Sequence, residues 1–294
     1  PREIRHSSRS TFNDQTRVLR PCHCKPASLD WSVYSTLGSD RLSHVAGSIS
    51  GEHTSLIIRS SSDSLKCFHF VSSMGVILYY IDKSAPCRSV MLCIASLGID
   101  VTFKEVDLLN KEQYQPEFLK MNPTHTVPTL DDNGFYLNES RAILQYLVNM
   151  YGKGKNLYPE DPKLRAKVDQ MLFFDMGLYQ RIRDHMYGPM WMNEPLDYSK
   201  IPRVMEGLDF LNTYIGDNEW ITGSDMTIAD FSLVAHVATG KEIGMDLSRW
   251  PNVTRWLSNC EKNMKDYDSA NLDGARKYGE MFRAKLGDKV FQWV

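Results

Sequence analysis

The sequence of 294 residues has few cysteines, no long apolar run and almost no net charge. Six cysteines in a chain of this length are too sparse for a disulfide scaffold, so we expect a reducing, cytosolic setting. No apolar run approaches the roughly 18 residues that indicate a membrane span, so we expect no membrane partner. The net charge of −2 gives no strong electrostatic attraction to nucleic acid. Hydrophobic residues at 42% and charged residues at 24% are typical of a soluble globular protein.

Residues 1–73 differ in composition from the rest of the chain. Their net charge is +3, against −5 for the remainder, and they hold 17 serines and five of the eight histidines. They lack long periodic apolar faces, so we predict that this segment is mostly disordered. Because Met74 stands directly before the first clear strand, we expect it to be the true start and residues 1–73 to be leader sequence. A transit peptide is a weaker alternative, since six acidic residues are present.

A triplet of potential metal ligands, Cys22-His23-Cys24, lies in this first segment. A structural zinc site needs four ligands at suitable spacing, and the sequence offers no second pair. We therefore predict that the protein binds no metal.

Regular secondary-structure patterns begin at residue 75. Residues 75–81 form a β-rich run of buried-strand length. Ser84 then follows as a helix N-cap, with Pro86 in the first turn, where its missing N–H costs nothing. Apolar residues repeat at helical spacing until Gly98, which is typical of a helix C-terminus.

The next segment predicts a strand, a short helix, a hairpin and a longer helix. Residues 101–108 alternate as a strand, and residues 116–122 are typical of a short helix. Residues 127–139 predict a β-hairpin with Asn133-Gly134 as its turn. The final helix runs from Ser140 to Gly152, with apolar residues on one face.

The order of these elements predicts a thioredoxin-like domain at residues 74–153, a mixed sheet with helices on both faces. Residues 154–162 have the glycine, lysine and proline content of a linker. Residues 163–294 contain five helical patterns and no convincing strand, so we predict an all-helical second domain. Within it, Thr227 and Asp230 occupy the cap and third positions of a helix, which favours a folding role for Asp230 over a catalytic one.

Five motifs in this order resemble the cytosolic glutathione transferases, most closely the insect delta class and next the epsilon class. They are SAPCRSV, NPTHTVPTL, DNGFYLNESRAI, LYP and TIADF, and the resemblance covers about residues 74 to 290. It implies a thioredoxin-like N-terminal domain, an all-α C-terminal domain and a cytoplasmic homodimer. It also implies conjugation of glutathione, as co-substrate, to apolar electrophiles in detoxification.

Ser84 lies where a C-x-x-C redox turn would have its first cysteine. A free thiol has a pKa near 8.5, so little of it is thiolate at neutral pH. A hydroxyl at a helix N-terminus can donate a hydrogen bond to a thiolate, and the helix dipole adds to the effect. The residues alone leave two roles open, capping of the helix and stabilisation of a bound thiolate. The resemblance favours Ser84 as the catalytic residue acting on glutathione.

Cys87 and Arg88 are the other reactive or charged residues of this motif. A catalytic thiol at Cys87 would indicate redox chemistry, but a small packed cysteine is the favoured interpretation. Arg88 could bind a ligand carboxylate, although the resemblance favours a structural role for it.

The resemblance implies that the residues around the hairpin bind glutathione. We predict a cis peptide bond at Val127-Pro128, which exposes the backbone of Val127 for strand-like pairing with the tripeptide. His125 would donate to the glycyl carboxylate. Glu139, Ser140 and Arg141 precede or begin a helix whose N-terminus favours an anion, so Ser140 suits the γ-glutamyl carboxylate and Glu139 suits its ammonium.

The electrophile is expected between the two domains, where concave apolar sites are common. Tyr179, Tyr187 and Trp191 from the first long helical segment and Phe282 from the last are the candidates. Aromatic residues at helical spacing also pack in cores, and that alternative stays open for each of them.

The chain departs from the delta pattern at Asp82-Lys83, where Pro-Gly is usual. Two charged residues therefore replace a tight turn beside the thiol site, which leaves two expectations. Either Lys83 assists the thiolate electrostatically, or the turn is displaced and catalysis is slow. Alternative functions are a non-catalytic binding or assembly module and a glutathione-dependent peroxidase, isomerase or dehydrochlorinase.

Overall fold

The computed structural model describes residues 75–287, together with the backbone of residues 29–36, 42–50, 53–59 and 65–70. The chain divides into two compact units, Pro1–Ser73 and Met74–Val294. The Cys22-His23-Cys24 triplet lies outside the described residues.

The first unit contains an antiparallel sheet of four strands in the order β1-β2-β3-β4. In these four ranges the structure has strands where the sequence analysis predicts disorder. The register places Val33 opposite Val45, and Val45 opposite Ile58. β-Branched residues favour strands, and this pairing forms without a long apolar run. The strands are β1 (Leu29–Thr36), β2 (Leu42–Ser50), β3 (His53–Arg59) and β4 (Leu65–Phe70).

The second unit begins with a thioredoxin-like arrangement. Its sheet has the order β6-β5-β7-β8, in which β5 and β6 are parallel and the other two pairs are antiparallel. The elements are β5 (Val76–Tyr80), α1 (Ala85–Leu97), β6 (Val101–Glu105), α2 (Pro116–Met121), β7 (Thr129–Asp132), β8 (Phe135–Asn138) and α3 (Ser140–Tyr151).

Local sequence signals explain the boundaries of α1 and of the β7–β8 hairpin. Ser84 caps the start of α1, and Gly98 ends it with a φ of 71°, which a glycine adopts without strain. Asn133 and Gly134, at φ values of 55° and 88°, form the predicted two-residue turn. These predicted boundaries are confirmed.

The rest of the unit is helical in the described part, as predicted. Helix α6 is buried along its whole length from Ile228 to Gly240, which is typical of a central helix surrounded by others. It packs against α1, α4 and α8, so it connects the sheet to the helical half. The helices are α4 (Pro162–Tyr187), α5 (Ile201–Ile215), α6 (Ile228–Glu242), α7 (Pro251–Asn263) and α8 (Asp273–Leu286). Among the described residues, no helix is both long and apolar enough to cross a membrane.

Asp230 fixes the start of α6 from a fully buried position. Its carboxylate accepts the backbone N–H of Thr227 at 2.8 Å, which completes the predicted capping box. It also accepts the N–H of Ile221 and the indole N–H of Trp256, both at 2.9 Å. Burial raises the pKa of Asp230, although these hydrogen bonds act in the opposite direction. One carboxylate thus joins α6, α7 and the preceding loop.

Replacing Asp230 with alanine should strongly destabilise the protein, because several buried donors lose their acceptor. We expect the free energy of unfolding to fall by about 3 kcal/mol, measured by urea denaturation. Asp225→Ala, at an exposed position in the preceding turn, is the control and should change it little. Equal urea-denaturation midpoints for Asp230→Ala and Asp225→Ala would contradict this role of Asp230.

Candidate functional site

Ser84 follows β5 after a short turn and is the N-cap of α1. Its Oγ accepts the backbone N–H of Cys87 at 3.5 Å, and its own N–H donates to the carbonyl of Ile81 at 3.1 Å. The cap uses a lone pair of the hydroxyl oxygen, so the hydroxyl proton is not consumed by it. The side chain is partly exposed. A hydroxyl donor therefore stands at the positive end of a 13-residue helix.

Cys87 and Arg88, the other two residues of this motif with reactive or charged side chains, are both buried. Cys87 is completely buried, and burial raises the pKa of its thiol to about 11 despite the opposing effect of Ser84. The thiol is therefore neutral at physiological pH and a poor nucleophile. The buried Arg88 guanidinium donates to the carbonyls of Asn271 at 3.1 Å and Ala235 at 3.2 Å. These contacts confirm its structural role.

The Asp82-Lys83 turn leaves the capping geometry of Ser84 intact. Lys83 Nζ lies 3.8 Å from the carboxylate of Asp82, and Lys277 Nζ lies 2.6 Å from the same carboxylate. Which of the two expectations for this turn holds stays a prediction.

A loop before β7 is organised by the buried side chain of Asn122. Its amide donates to the carbonyl of Thr126 at 3.0 Å and to Thr129 Oγ1 at 2.9 Å. Its carbonyl oxygen accepts the N–H of Thr124 at 2.9 Å. The loop leads into the Val127–Pro128 peptide bond, which is cis as predicted.

In this loop Val127 is half-buried and His125 is exposed. Val127 forms no backbone hydrogen bond with another described residue, so its N–H and C=O remain open. His125 is exposed, has a φ of 48°, and lies over the ring of Tyr114 with 4.5 Å between ring centroids. The stacking orients the imidazole.

Helix α3 begins next to this loop, at Glu139 and Ser140. Glu139, not Ser140, occupies the cap position, with a φ of 71° that is unusual for a residue other than glycine. Ser140 is the first helical residue and is buried. The first N–H groups of a helix have no partner within it, and Glu139 provides no side-chain cap, so these donors suit an anion.

Arg141 extends from α3 to a buried carboxylate on α4. Its guanidinium pairs with Asp175, which also accepts Ser232 Oγ at 2.6 Å and His236 Nδ1 at 2.8 Å from α6. Asp175 is completely buried. Burial acts to raise the pKa of Asp175, but the charges of His236 and Arg141 and the hydrogen bonds outweigh it, so the pKa is lowered. This network connects α3, α4 and α6.

The predicted electrophile residues fall into two groups. Tyr187 and Trp191 are exposed by 43% and 46%, and Tyr179 is partly exposed, with its ring 4.6 Å from that of His236. Phe282 has no exposed surface and belongs to the core, so it is not positioned to line an open pocket. Tyr278, one turn earlier, is partly buried near Tyr179, and burial raises its pKa to about 12.

Three supporting residues were not found from the sequence: Asn122, Asp175 and Tyr278. The Asn122-Pro123 pair signals a turn, but nothing in the local pattern around Asp175 predicts partners 34 to 61 residues away. A surface depression of about 300 Å³ is lined by Arg181, Asp184, Lys200 and Arg203, and none of the predicted site residues belongs to it. The described residues hold no group of three or more potential metal ligands.

Two family models and a characterised protein match the sequence of this chain. A model described as glutathione S-transferase, N-terminal domain, matches residues 74–149, and one described as the C-terminal domain matches residues 184–263. The chain is 39% identical over 216 residues to glutathione S-transferase D7 of Anopheles gambiae, covering 72% of this chain and 99% of the relative.

Solved structures of glutathione transferases are also similar to this chain. A delta-class glutathione transferase of Nilaparvata lugens is 44% identical, with a TM-score of 0.70, and the match covers 71% of this chain and 99% of that one. A glutathione transferase homologue from Drosophila mojavensis, solved with bound glutathione, is 32% identical with a TM-score of 0.67, over 72% of this chain and 97% of that one.

The lowered pKa of Asp175 predicts acid sensitivity of its network. A carboxylate with a depressed folded-state pKa contributes stability that is fully present above its unfolded pKa of about 3.9. That contribution is lost as the pH falls through the folded-state value. We expect urea midpoints of the wild type to exceed those of Asp175→Asn at pH 5 and above, with the difference shrinking below pH 4. Asp184→Asn, at an exposed site, should show no such difference; a gap independent of pH would contradict this account.

Proposed function

The chain belongs to the glutathione S-transferase family and is a glutathione transferase, and we propose that Ser84 is the residue that stabilises the glutathione thiolate. The observation that carries this proposal is the partly exposed hydroxyl of Ser84 at the N-terminus of α1. Cys87, the rival in the same motif, is buried and neutral. No residue of the protein then forms a covalent intermediate; Ser84 donates a hydrogen bond and does not attack.

Such a site can supply the free energy that is needed to lower the pKa of the glutathione thiol. Lowering the thiol pKa by about two units, from its ordinary value near 8.5, corresponds to roughly 2.7 kcal/mol in favour of the anion. A hydrogen bond to a charged group contributes about 1.5–3 kcal/mol, and a helix N-terminus adds about 0.3–1 kcal/mol. The Ser84 hydroxyl and α1 together can supply this amount. The proton leaves to solvent, and the thiolate forms a C–S bond with the electrophile; with a halonitroarene the carbon–halogen bond then breaks and halide departs.

The remaining predicted residues suit the rest of the tripeptide. The open backbone groups of Val127 can pair with the peptide-like centre of glutathione, beside the cis bond to Pro128. The N–H groups that begin α3 and the Ser140 hydroxyl would bind the γ-glutamyl carboxylate, and the exposed Glu139 its ammonium. His125, oriented by Tyr114, would donate to the glycyl carboxylate.

We assign Arg141 a positioning role at this end of the site. Its guanidinium pairs with Asp175, so its charge is held at the start of α3 by a carboxylate of α4. Placed there, it fixes α3 against the helical half.

The apolar electrophile would lie against α4 and α8. Tyr179, Tyr187 and Trp191 offer aromatic surface, and Tyr278 offers a neutral phenol, since burial raises its pKa. Catalysis then comes from thiolate stabilisation and from holding the two reactants together. Which electrophile reacts decides between conjugation and the peroxidase, isomerase or dehydrochlorinase reactions of the same thiolate.

We further propose that the protein acts in detoxification, in the cytoplasm, as a homodimer. Large apolar side chains are exposed on α3 and α4, where Met150 is 58%, Phe173 72% and Met176 47% accessible. Such apolar surface favours a partner copy. The described cysteines Cys87, Cys93 and Cys260 are free, in keeping with a reducing compartment.

Ser84→Ala tests the proposed catalyst directly. We expect kcat/KM with a model halonitroarene to fall about 25-fold at pH 7, because a thiol pKa that returns from about 6.5 to about 8.5 leaves only about 3% of the thiol ionised. Retention on immobilised glutathione should persist, since the other contacts remain. Cys87→Ala is the matched control within the same motif and should keep its turnover.

Two outcomes would overturn the proposal. Undiminished turnover by Ser84→Ala would remove Ser84 as the catalyst. A wild-type protein that is retained on glutathione without turning over the halonitroarene would instead favour a binding module.

A further inference from the structure

We propose that helix α8 is a positioning element of the thiol site, in which Gly274 lets the helix lie against the Asp82-Lys83 turn and Lys277 neutralises the Asp82 carboxylate beside Ser84. The proposal rests on the role of Ser84 proposed above. It concerns residues that follow Ser84 by about 190 positions, and that no local motif connects to it.

Close backbone approach explains the glycine at position 274. A Cβ there would overlap the carbonyl oxygen of Asp82 and lie 2.7 Å from Cδ of Arg88. Gly274 lies inside α8 and is not among the residues with positive φ, so the backbone conformation does not demand a glycine. The contact with the turn requires a glycine at position 274, because any larger side chain would push the turn and α8 apart.

The start of α1 is held from the same side. The Arg88 guanidinium binds the carbonyl of Asn271, just before α8, and the carbonyl of Ala235 and hydroxyl of Thr239 in α6. Ser84 therefore lies between two contacts with the region around α8, one at Asp82 before it and one at Arg88 after it. Movement of α8 would move both.

The charge on Asp82 makes Lys277 necessary. Asp82 lies two residues before Ser84, and a carboxylate there opposes any nearby anion. Burial is the main cause that raises the pKa of Cys87, and the Asp82 charge acts in the same direction as the weakest of the causes. Left alone, Asp82 would also disfavour a thiolate at Ser84.

The cations around Asp82 cancel this effect. Lys277 Nζ on α8 lies 2.6 Å from Oδ2 of Asp82, and Lys83 Nζ lies 3.8 Å from Oδ1. Burial acts to raise the pKa of Asp82, but these two ammonium groups outweigh it and lower the pKa. Asp273 and Glu105 act on Lys277 more weakly, and both favour its charged form. The turn is thus neutralised chiefly from α8.

The charge part of the proposal is tested by the apparent pKa of the glutathione thiol in the complex, followed by ultraviolet absorbance of the thiolate. Lys277→Ala should raise this pKa by about 0.5 unit at low salt, because the Asp82 charge is no longer balanced. The double variant Asp82→Asn, Lys277→Ala should return the pKa to within about 0.2 unit of the wild type.

Arg276→Ala is the matched control for Lys277. Arg276 is the preceding residue of α8 and lies 4.0 Å from Asp273, not near Asp82. A Lys277→Ala value equal to that of Arg276→Ala would overturn the charge part. Failure of the double variant to restore the pKa would overturn it as well.

The packing part is tested by a pair of glycine substitutions on the same helix. Gly274→Ala forces the turn away, so kcat should fall about tenfold and the thiol pKa should rise. Gly279→Ala creates a comparable clash, 2.5 Å from the carbonyl oxygen of Glu242, but away from the turn. It should lose stability while keeping the thiol pKa of the wild type. Equal effects of the two variants on the thiol pKa would overturn the packing part.

These measurements separate the inference from the proposed function. If the wild type does not lower the thiol pKa, the role of Ser84 fails. If the wild type lowers it and the Lys277 and Gly274 variants behave like their controls, the role of Ser84 stands and that of α8 fails. Lys277→Ala changes only an exposed side chain, so it remains informative even if Gly274→Ala does not fold.

Discussion

The proposed glutathione site depends on the hydroxyl of Ser84, which is held at the N-terminus of α1. A thiol loses its proton more readily where a hydrogen-bond donor and a positive potential are fixed before the anion forms. The strand β5 ends at the turn that carries Ser84, and the cap to Cys87 N–H fixes the side chain. Arg88 then anchors the first turn of α1 to α6 and to the segment before α8. Because these anchors are buried, the donor keeps its place without being shielded from a ligand.

At the other end of the proposed site, a buried ion pair and its hydrogen bonds join α3 to α4 and α6. Asp175 is a fully buried carboxylate that gathers Arg141, Ser232 and His236 from two further helices. Replacing such a network as a whole by apolar side chains would change the stability little, since desolvation costs offset the attraction, whereas removing one partner leaves the others buried without compensation. The network nevertheless restricts the ways in which α3 can pack against α4 and α6. The start of α3, where Ser140 lies, is thereby fixed relative to Ser84 through α6, which packs against both α1 and α3.

Features set by neighbouring residues could be predicted from the sequence, and features set by distant contacts could not. The caps at Ser84 and Gly98, the Asn133-Gly134 turn and the Thr227–Asp230 box follow from local chemistry, and the structure has all of them. Burial of Phe282 depends on how α8 rotates against the core, which helical periodicity alone does not fix. The strands β1 to β4 arise from pairing between segments without strong apolar patterns. The contacts of Lys277 and Asp175 likewise join residues far apart in the chain.

Titration of the glutathione thiol bound to the wild-type protein, read by ultraviolet absorbance, measures the effect of Ser84 without the later steps of the reaction. We expect an apparent pKa about two units below that of free glutathione, and a return to near the free value in Ser84→Ala. A bound thiol that ionises at the same pH as free glutathione would contradict the proposed role of Ser84.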